Sequence, residues 1–354
     1  MRKLKNSKFA KLLSLTLALI FILGAFSGCG GKTEDETTTE APQTTQAPKD
    51  TEIRNPLTGE PGYNKDLLNN RPVFVVVENH PQARPQWGLT SSDIVWEMVA
   101  EGGITRMLLM YADASRIPEK VGPIRSARHY FVDLAEGFDG IFVHFGYSPM
   151  AKSQIENHSV NNINGLVDSY FYRDTTRNVA VEHTSYTTNE AIQTAIANKE
   201  YRTEIKDDYK SPFKFSTKTK TLSSPLSKIT AAYSDSYKYT FHWSTKINAF
   251  KCTLNGKAFV DSEGVQQTFD NVIICYTDIT SMNDSKGRVD FDFSEGYGVY
   301  ASNGSYTDIT WKKGNSDDMM KFYNKVGDEL SLNIGRTYIA IMDESTEPYN
   351  TIKN

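Results

Sequence analysis

The sequence is poor in the residues that build metal and redox sites. It has three cysteines and six histidines among 354 residues, and its cysteines show none of the paired spacings that hold zinc. The alternating acids Asp290, Asp292 and Glu295 do not follow the pattern of a calcium loop. A Gly-x-Ser-x-Gly nucleophile motif is also missing. The sequence therefore indicates no metal, no cofactor and no recognisable catalytic set, and we favour a protein that is not an enzyme.

Long hydrophobic runs are scarce as well. The run over residues 12–26 is too short to span a bilayer as a mature helix. It follows five basic residues and ends in Phe26-Ser27-Gly28-Cys29, which resembles a bacterial lipoprotein processing box with phenylalanine in place of the usual leucine. We predict a signal peptide over residues 1–28 and acylation of Cys29. Acyl chains contribute about 0.8 kcal/mol per buried methylene, so the mature protein would be anchored to the cell membrane at its extracytoplasmic face.

Positive charge is in short supply in the predicted mature chain. The formal net charge is -4, and loss of a signal peptide with five basic and no acidic residues takes it to -9. An acidic surface argues against nucleic acid as a partner. Residues 29–54 contain the lipidated Cys29 and a tether rich in threonine, proline and acidic residues, which cannot bury a core.

Two folded domains are predicted after the tether. The first, over residues 55–200, is an α/β (α+β) domain with a mixed sheet. The residue pattern predicts a buried strand over 71–78 and a hairpin turning at Gly102-Gly103, because paired glycines supply the positive φ of a tight turn. Pro123 suits the first position of a helix over 123–135. A further strand over 141–145 and helices over 150–156 and 189–198 complete this domain.

The second predicted domain follows a polar, lysine-rich linker over residues 201–226. Residues 227–345 alternate aromatic and polar side chains between frequent turn signals, which predicts a mostly antiparallel β domain. We expect a helical insert over 317–323 and a tail over 346–354. Cys252 and Cys275 lie in strand-like runs, and we expect two free buried thiols, with a cross-strand disulfide as the alternative.

The first domain carries more polar and charged residues near its strand ends than a core requires. Asn79 and His80 end a buried strand, a common position for a ligand site in an α/β sheet, although both could simply satisfy loop backbone. The predicted helix would place Arg125, Arg128 and His129 on one face near its N-terminus. Two cations oppose the helix dipole there, which indicates a negative partner.

That partner could come from the protein or from a ligand. Glu97 or Glu101 of the hairpin could pair with the arginines, including Arg106, in a structural network, because buried charges are normally paired. A phosphate or carboxylate of a ligand would suit the planar guanidinium groups equally well.

Polar residues around the next strand would face the same edge of the sheet. His144 lies near the end of that strand, and Ser148 is predicted to cap the following helix. His183, just before another capped helix, is either a ligand contact or a packed histidine. The candidate ligand-binding residues are Asn79, His80, Glu97, Glu101, Arg106, Arg125, Arg128, His129, His144 and Ser148.

Several motifs occur in one order along the chain. They are Asn55-Pro56-Leu57-Thr58-Gly59, Arg71-Pro72-Val73, Asn79-His80-Pro81-Gln82-Ala83-Arg84-Pro85-Gln86, Ala100-Glu101-Gly102-Gly103-Ile104-Thr105-Arg106 and Gly122-Pro123-Ile124-Arg125-Ser126-Ala127-Arg128. Their order resembles the YerB-type lipoprotein family of Gram-positive bacteria. The resemblance implies an anchored extracytoplasmic protein of two domains with unassigned functions. The family usually has His-Asn-Leu-Tyr near Glu182-His183-Thr184-Ser185-Tyr186, so no family role is carried to that stretch.

Two functions fit these observations. The first is a binding or accessory lipoprotein of the cell envelope whose partner is an anionic small molecule, a wall precursor or an envelope protein. The second, similar in layout to the LytR-type wall-polymer phosphotransferases, is a phosphotransferase or phosphohydrolase acting on a polyprenyl-linked cell-wall precursor. It requires the arginines 106, 125 and 128 and an acid such as Glu97 or Asp93 to converge on one pocket.

Overall fold

A computed structural model of the chain describes residues 52–354, which pack as one unit. The predicted signal peptide, Cys29 and nearly all of the predicted tether lie outside the described residues. Within residues 52–354, no helix has both the length and the apolar composition needed to cross a membrane.

The strands of the first region form where β-branched and aromatic residues are concentrated. They are β1 (Val73–Glu78), β2 (Ile94–Val99), β3 (Thr105–Tyr111), β4 (Ile141–His144), β5 (Asn162–Asn164), β6 (Tyr172–Arg173) and β7 (Ser185–Tyr186). The α-helices are α1 (His129–Gly137), α2 (Pro149–Asn157) and α3 (Asn189–Asn198). Ser148 caps α2 as predicted, and Thr188 caps α3; each accepts a backbone N–H bond with its side-chain oxygen.

The later part of the chain is almost entirely strand and turn. Its strands are β8 (Lys214–Ser216), β9 (Ser224–Pro225), β10 (Lys228–Ser234), β11 (Tyr237–Ser244), β12 (Ala249–Leu254), β13 (Lys257–Ala258), β14 (Thr268–Phe269), β15 (Asn271–Thr277), β16 (Ile279–Ser281), β17 (Val289–Phe291), β18 (Glu295–Ser302), β19 (Ser305–Lys312), β20 (Lys321–Tyr323), β21 (Ser331–Asn333), β22 (Thr337–Asp343) and β23 (Ile352–Lys353). Short 3-10 helices occupy Lys65–Leu67, Pro81–Ala83, Glu101–Gly103, Ala114–Arg116, Val181–His183, Asp207–Tyr209 and Glu344–Tyr349.

A mixed central sheet runs through both regions in the order β20-β19-β18-β15-β22-β2-β3-β1-β4-β5, and β9 pairs with β19. Strand β22 lies parallel to both β2 and β15, so it joins the strands of the first region to those of the second. Strands β2 and β3 pair antiparallel across Gly102 and Gly103, whose φ angles of 69° and 72° confirm the predicted hairpin turn.

One layer of structure packs on each face of the central sheet, so the described region has three layers. In β1, Val73, Val75 and Val77 belong to one core, whereas Phe74 and Val76 belong to the other. Helices α1 and α2 cover the Phe74 face, which we call the helix face. A smaller antiparallel sheet, with the order β13-β12-β11-β10-β23 and β14 on β12, covers the opposite face together with α3.

This architecture confirms the predicted fold class: a mixed-sheet α/β region followed by a mostly antiparallel β region. The segments predicted as linker and tail also contain paired strands. Strand β8 of the linker segment pairs with β21, and β23 of the tail segment pairs with β10.

Two local predictions were wrong. The predicted helix over 123–135 begins only at His129, because the backbone before it makes bridges to neighbouring segments and cannot also make helical bonds. The predicted helical insert over 317–323 is a turn followed by β20. Cys252 and Cys275 are both buried and free.

Candidate functional site

An open cavity of about 570 Å³ lies where β1 ends and the β2–β3 hairpin turns. Residues from both regions of the chain line it. They are Glu78, His80, Ala100, Glu101, Ile104, Arg106, Arg125, Arg128, Ser148, Pro149, Glu182, His183, Lys286 and Arg288.

An extended segment, rather than a helix, carries two of the arginines to this cavity. The backbone N–H of Arg125 donates to Val76 O over 2.9 Å, and Phe145 N donates back to Arg125 O over 3.0 Å. Ala127 N donates to Gly146 O over 2.9 Å. The segment is thus fixed between β1 and the turn after β4, and α1 starts only after Arg128, its N-cap residue.

One end of the cavity is an arginine–carboxylate pair closed by a second arginine. Arg128 donates to both carboxylate oxygens of Glu101, and the bond from its Nη2 to Glu101 Oε2 is 2.6 Å long. Arg106 Nη2 lies 3.3 Å from the same oxygen, and its Nη1 donates to Ser126 O over 2.8 Å. A bidentate pair of this kind fixes both the position and the plane of the guanidinium group.

The charges at this end shift two pKa values. Burial would raise the pKa of Glu101, but hydrogen bonds and positive charge from Arg128, together with the charge of Arg106, outweigh burial and lower it. Glu101 is therefore ionised at neutral pH. Burial and the like charge of Arg128 lower the pKa of Arg106 to about 10, so Arg106 also stays charged at neutral pH.

The other end of the cavity combines a carboxylate, an arginine and two histidines. Arg125 Nε lies 2.5 Å from Glu78 Oε2, and His183 Nδ1 lies 3.5 Å from the same oxygen. The rings of His183 and His80 stack with centroids 4.6 Å apart. Glu78 Oε2, Arg125 Nε and His183 Nδ1 are buried atoms without an aligned hydrogen bond. Buried polar atoms without hydrogen bonds cost free energy, so an acceptor that reached Arg125 Nε would reduce that cost.

Positive charge exceeds negative charge on the cavity wall. The wall has five Arg or Lys side chains against three Glu side chains, a formal charge of +2 with the histidines neutral. Arg288 is partly offset by Asp284, which accepts a hydrogen bond from Arg288 Nε outside the wall. The described chain as a whole is acidic, so this cationic cavity is a local exception.

Comparison with known proteins gives two family matches and a close relative. Residues 57–202 match the family "Protein of unknown function (DUF3048) N-terminal domain", and residues 229–339 match its C-terminal domain. The chain is 35% identical over 300 residues to "Putative lipoprotein YerB" of Bacillus subtilis, covering 82% of this chain and 87% of the relative. The chain belongs to the YerB-like DUF3048 family.

A solved structure from this family has a similar fold. The crystal structure of YerB protein from Bacillus subtilis superposes with a TM-score of 0.75 at 32% sequence identity, covering 85% of this chain and 100% of that chain.

Both DUF3048 regions contribute to the cavity. Lys286 and Arg288 come from the loop between β16 and β17, within the C-terminal match, and all other wall residues come from the N-terminal match. No local signal in the sequence predicts this meeting, because about a hundred residues separate Lys286 and Arg288 from His183, the nearest other wall residue along the chain. His183 had a signal, its position before a capped helix, and Glu78 stands at the end of the predicted buried strand.

Six of the ten candidate residues of this DUF3048 chain line the cavity: His80, Glu101, Arg106, Arg125, Arg128 and Ser148. The hydroxyl of Ser148 accepts a hydrogen bond from Ala151 N over 3.2 Å, so its side chain serves as the helix cap.

Asn79 and Glu97 lie on the opposite face of the sheet, in a largely buried polar group that we call the Glu97 cluster: Asn79, Glu97, Thr105, Tyr237, Tyr239 and Tyr338. Glu97 is fully buried and accepts hydrogen bonds from Tyr338 OH at 2.5 Å, Thr105 Oγ1 at 2.6 Å and Asn79 Nδ2 at 3.0 Å. Burial raises the pKa of Glu97 to about 7, although these donors and the charge of Arg84 lower it.

The remaining candidates also lie away from the wall. His129 Nε2 lies 2.7 Å from Asp290 Oδ1. His144 is buried, with Nδ1 2.8 Å from Gly146 O and Nε2 3.2 Å from Asn162 Oδ1, and burial lowers its pKa. Asp93, an alternative acid for catalysis, pairs with Arg116 at 2.6 Å and is not on the wall. No group of three or more His, Cys, Asp or Glu side chains within residues 52–354 is arranged to hold a metal ion.

Proposed function

We propose that this protein is a lipid-anchored, extracytoplasmic binding protein of the cell envelope whose cavity takes an anionic group, a phosphate in the first instance. The observation that carries the proposal is the convergence of Arg106, Arg125 and Arg128 on one open cavity with excess positive charge. Arginine forks match phosphate oxygens in geometry as well as in charge.

The arginines differ in how readily they would meet a ligand. Arg128 and Arg106 are held by Glu101 and by backbone carbonyls, so they mainly supply fixed charge. Arg125 touches Glu78 without an aligned hydrogen bond, and its side chain is 28% exposed. We therefore expect Arg125 to make the first direct contact with an incoming phosphate, beside the fixed field of the other two.

Binding of inorganic pyrophosphate to residues 51–354, measured by isothermal titration calorimetry, tests the proposal. This unit contains both cores. Two lost charge-assisted contacts of about 1.5–3 kcal/mol each should weaken binding by a hundredfold or more in Arg125→Ala/Arg128→Ala. The control is Arg202→Ala, which removes an arginine paired with Asp139 outside this cavity. Equal pyrophosphate affinity in all three proteins would refute the proposal.

Anchoring rests on the motif at Cys29 and on a relative whose name describes it as a lipoprotein. In cells fed labelled palmitate, the full chain should take up label and Cys29→Ser should not. Cys252→Ser is the matched control, because Cys252 is buried and should not be acylated. Label that persists in Cys29→Ser would exclude the proposed anchor.

The second candidate function is phosphoryl transfer or phosphoester hydrolysis on a polyprenyl-linked cell-wall precursor. The contact between Glu78 and His183 beside the arginines favours it, because a carboxylate can orient a histidine for proton transfer. The acids considered from the sequence, Glu97 and Asp93, do not reach the cavity, so Glu78 would take that place. Release of phosphate from farnesyl diphosphate that is lost in His183→Gln, with pyrophosphate affinity retained, would support catalysis.

A further inference from the structure

Three large apolar side chains are exposed beside the cationic cavity. Leu166 is 59% exposed, Val167 is 77% exposed and Val181 is 66% exposed. We call these three residues the apolar lip. Val181 belongs to the 3-10 turn Val181–His183, whose other two residues line the cavity.

Phe145 connects the lip to the cavity. Gly165 packs directly on the Phe145 ring, since an added Cβ at residue 165 would fall 2.1 Å from Phe145 Cδ2, and Leu166 follows at once. The Arg173 guanidinium lies 4.5 Å from the centroid of the same ring and donates to Val181 O over 2.5 Å. Phe145 N donates to Arg125 O. Leu166 and Val167 thus follow the glycine that packs on Phe145, and the carbonyl of Val181 bonds to the arginine over the same ring, so Phe145 links both parts of the lip to the segment that carries Arg125.

The lip is held by its backbone rather than by apolar packing. Gly165 N donates to His144 O over 3.0 Å, and Val167 N donates to Asn164 O over 3.0 Å. Leu166 N donates to Asn164 Oδ1 over 3.1 Å. A turn with this many hydrogen bonds could present polar side chains at no structural cost. Large apolar side chains grouped on such a surface usually mark a contact.

We infer that the ligand is one amphiphilic molecule: a phosphate ester whose head group enters the cavity and whose hydrocarbon chain lies on the apolar lip. The inference rests on the proposed function. The juxtaposition supports it, since excess positive charge and exposed hydrocarbon adjoin at Phe145, and an ester of this class offers the complementary pair. A free phosphate would leave the lip uncovered.

Paired ligands with the same head group test the inference. Octyl phosphate and methyl phosphate are titrated into residues 51–354, below the micellar concentration of the octyl ester. Coverage of two or more methylenes at about 0.8 kcal/mol each should make octyl phosphate bind at least about tenfold more tightly. In Leu166→Ser/Val167→Ser/Val181→Ser this gain should disappear, while the affinity for methyl phosphate stays unchanged.

The matched control is Val326→Ser. Val326 is 81% exposed in the turn between β20 and β21, and β20 lies at the edge of the central sheet opposite β5, which precedes the lip. This variant should keep the full gain.

The outcomes separate the two proposals. Equal affinities for the two esters in the unaltered protein, or a gain that survives in the triple variant, would overturn the amphiphile and leave the lip to another partner, while anion binding would stand. If neither ester nor pyrophosphate bound, both proposals would fall together.

Discussion

The cavity and the Glu97 cluster lie on opposite faces of the sheet, and along β1 and β3 their residues are one position apart. Glu78 of β1 and Arg106 of β3 are paired across the strands and line the cavity on the helix face. Asn79 and Thr105, their chain neighbours, point to the other face and bond to Glu97. Because side chains alternate along a strand, one residue decides which of the two environments each group enters.

The comparison shows how the surroundings of a carboxylate determine whether it is ionised. Glu101, at the cavity, has charged arginine partners that lower its pKa, so it stays ionised and fixes their positions. Glu97 has only neutral donors within bonding distance and a pKa raised to about 7. The first arrangement presents charge to solvent, and the second ties the central sheet to the small sheet through tyrosine hydroxyls. We therefore expect changes in the cavity to alter binding and changes in the cluster to alter stability.

The largest effect should come from emptying the cluster. Glu97→Ala leaves Tyr338 OH and Thr105 Oγ1 buried without the carboxylate that accepts from them, at about 1–3 kcal/mol each before relaxation. Asn79 Nδ2 keeps Thr105 Oγ1 and the hydroxyls of Tyr237 and Tyr239 as acceptors. We expect a loss of about 3–5 kcal/mol in the free energy of unfolding, measured by urea denaturation.

At urea concentrations below its unfolding midpoint, where most molecules are folded, Glu97→Ala should still bind pyrophosphate with near-normal affinity. If Glu97→Ala kept its stability but lost pyrophosphate binding, the assignment of stability to the cluster and of binding to the cavity would be wrong.

The pH dependence of stability should show the second-largest effect. The pKa of Glu97 rises from its ordinary 4.5 to about 7 on folding. The folded state thus binds the proton more tightly, and this contribution is present in full below pH 4.5 and is lost as pH rises to about 7. The loss is about 3 kcal/mol, at 1.36 kcal/mol per pKa unit.

Glu97→Gln removes the titrating group while keeping the size of the side chain. The stability of Glu97→Gln relative to the unaltered protein should therefore increase from pH 4.5 to pH 7 and level off above it. Urea denaturation at several pH values measures this difference directly. A difference that stays constant with pH would contradict the raised pKa.

The sequence predicted the local parts of this comparison and missed the parts set by distant contacts. The Gly102-Gly103 hairpin and the helix caps were predicted because their signals lie within a few residues. The arginines were identified as a group, but their helix was wrong, since long-range bridges such as Val77 to Ile124 hold the segment extended.

The alternation of side chains along β2 could have shown that Glu97 faces away from the cavity. Glu97 lies two residues from Val95 and so shares its face, which is turned to the small sheet, whereas Trp96 and Met98 face the helices. This alternation could not show which face holds Arg125 and Arg128, because their position depends on the segment after β3. Lys286 and Arg288 could not be predicted as wall residues either, since only the folded structure brings their loop to the cavity.

A smaller effect, with the opposite sign to arginine removal, should follow from neutralising Glu101. Glu101→Gln keeps a hydrogen-bonding side chain between Arg128 and Arg106 but removes its negative charge. The wall charge rises by one, and we expect pyrophosphate to bind about threefold to tenfold more tightly at low salt, by calorimetry. Weaker binding would mean that Glu101 matters more for holding the arginines in place than for balancing their charge.

The smallest effect should come from the part of the wall supplied by the C-terminal region. Lys286 is exposed, so water and salt screen its charge, and Lys286→Ala should weaken pyrophosphate binding only about twofold to fivefold. The loss should shrink as salt is raised from about 50 to 300 mM, because the screening length falls below the reach of an exposed lysine. Lys325→Ala, which removes an exposed lysine near Asp308 and outside the wall, is the control and should bind normally. If Lys286→Ala weakened binding as much as removal of Arg125 does, the loop between β16 and β17 would have to close over the ligand. The occupied cavity would then be shielded from solvent to the same degree as the Glu97 cluster.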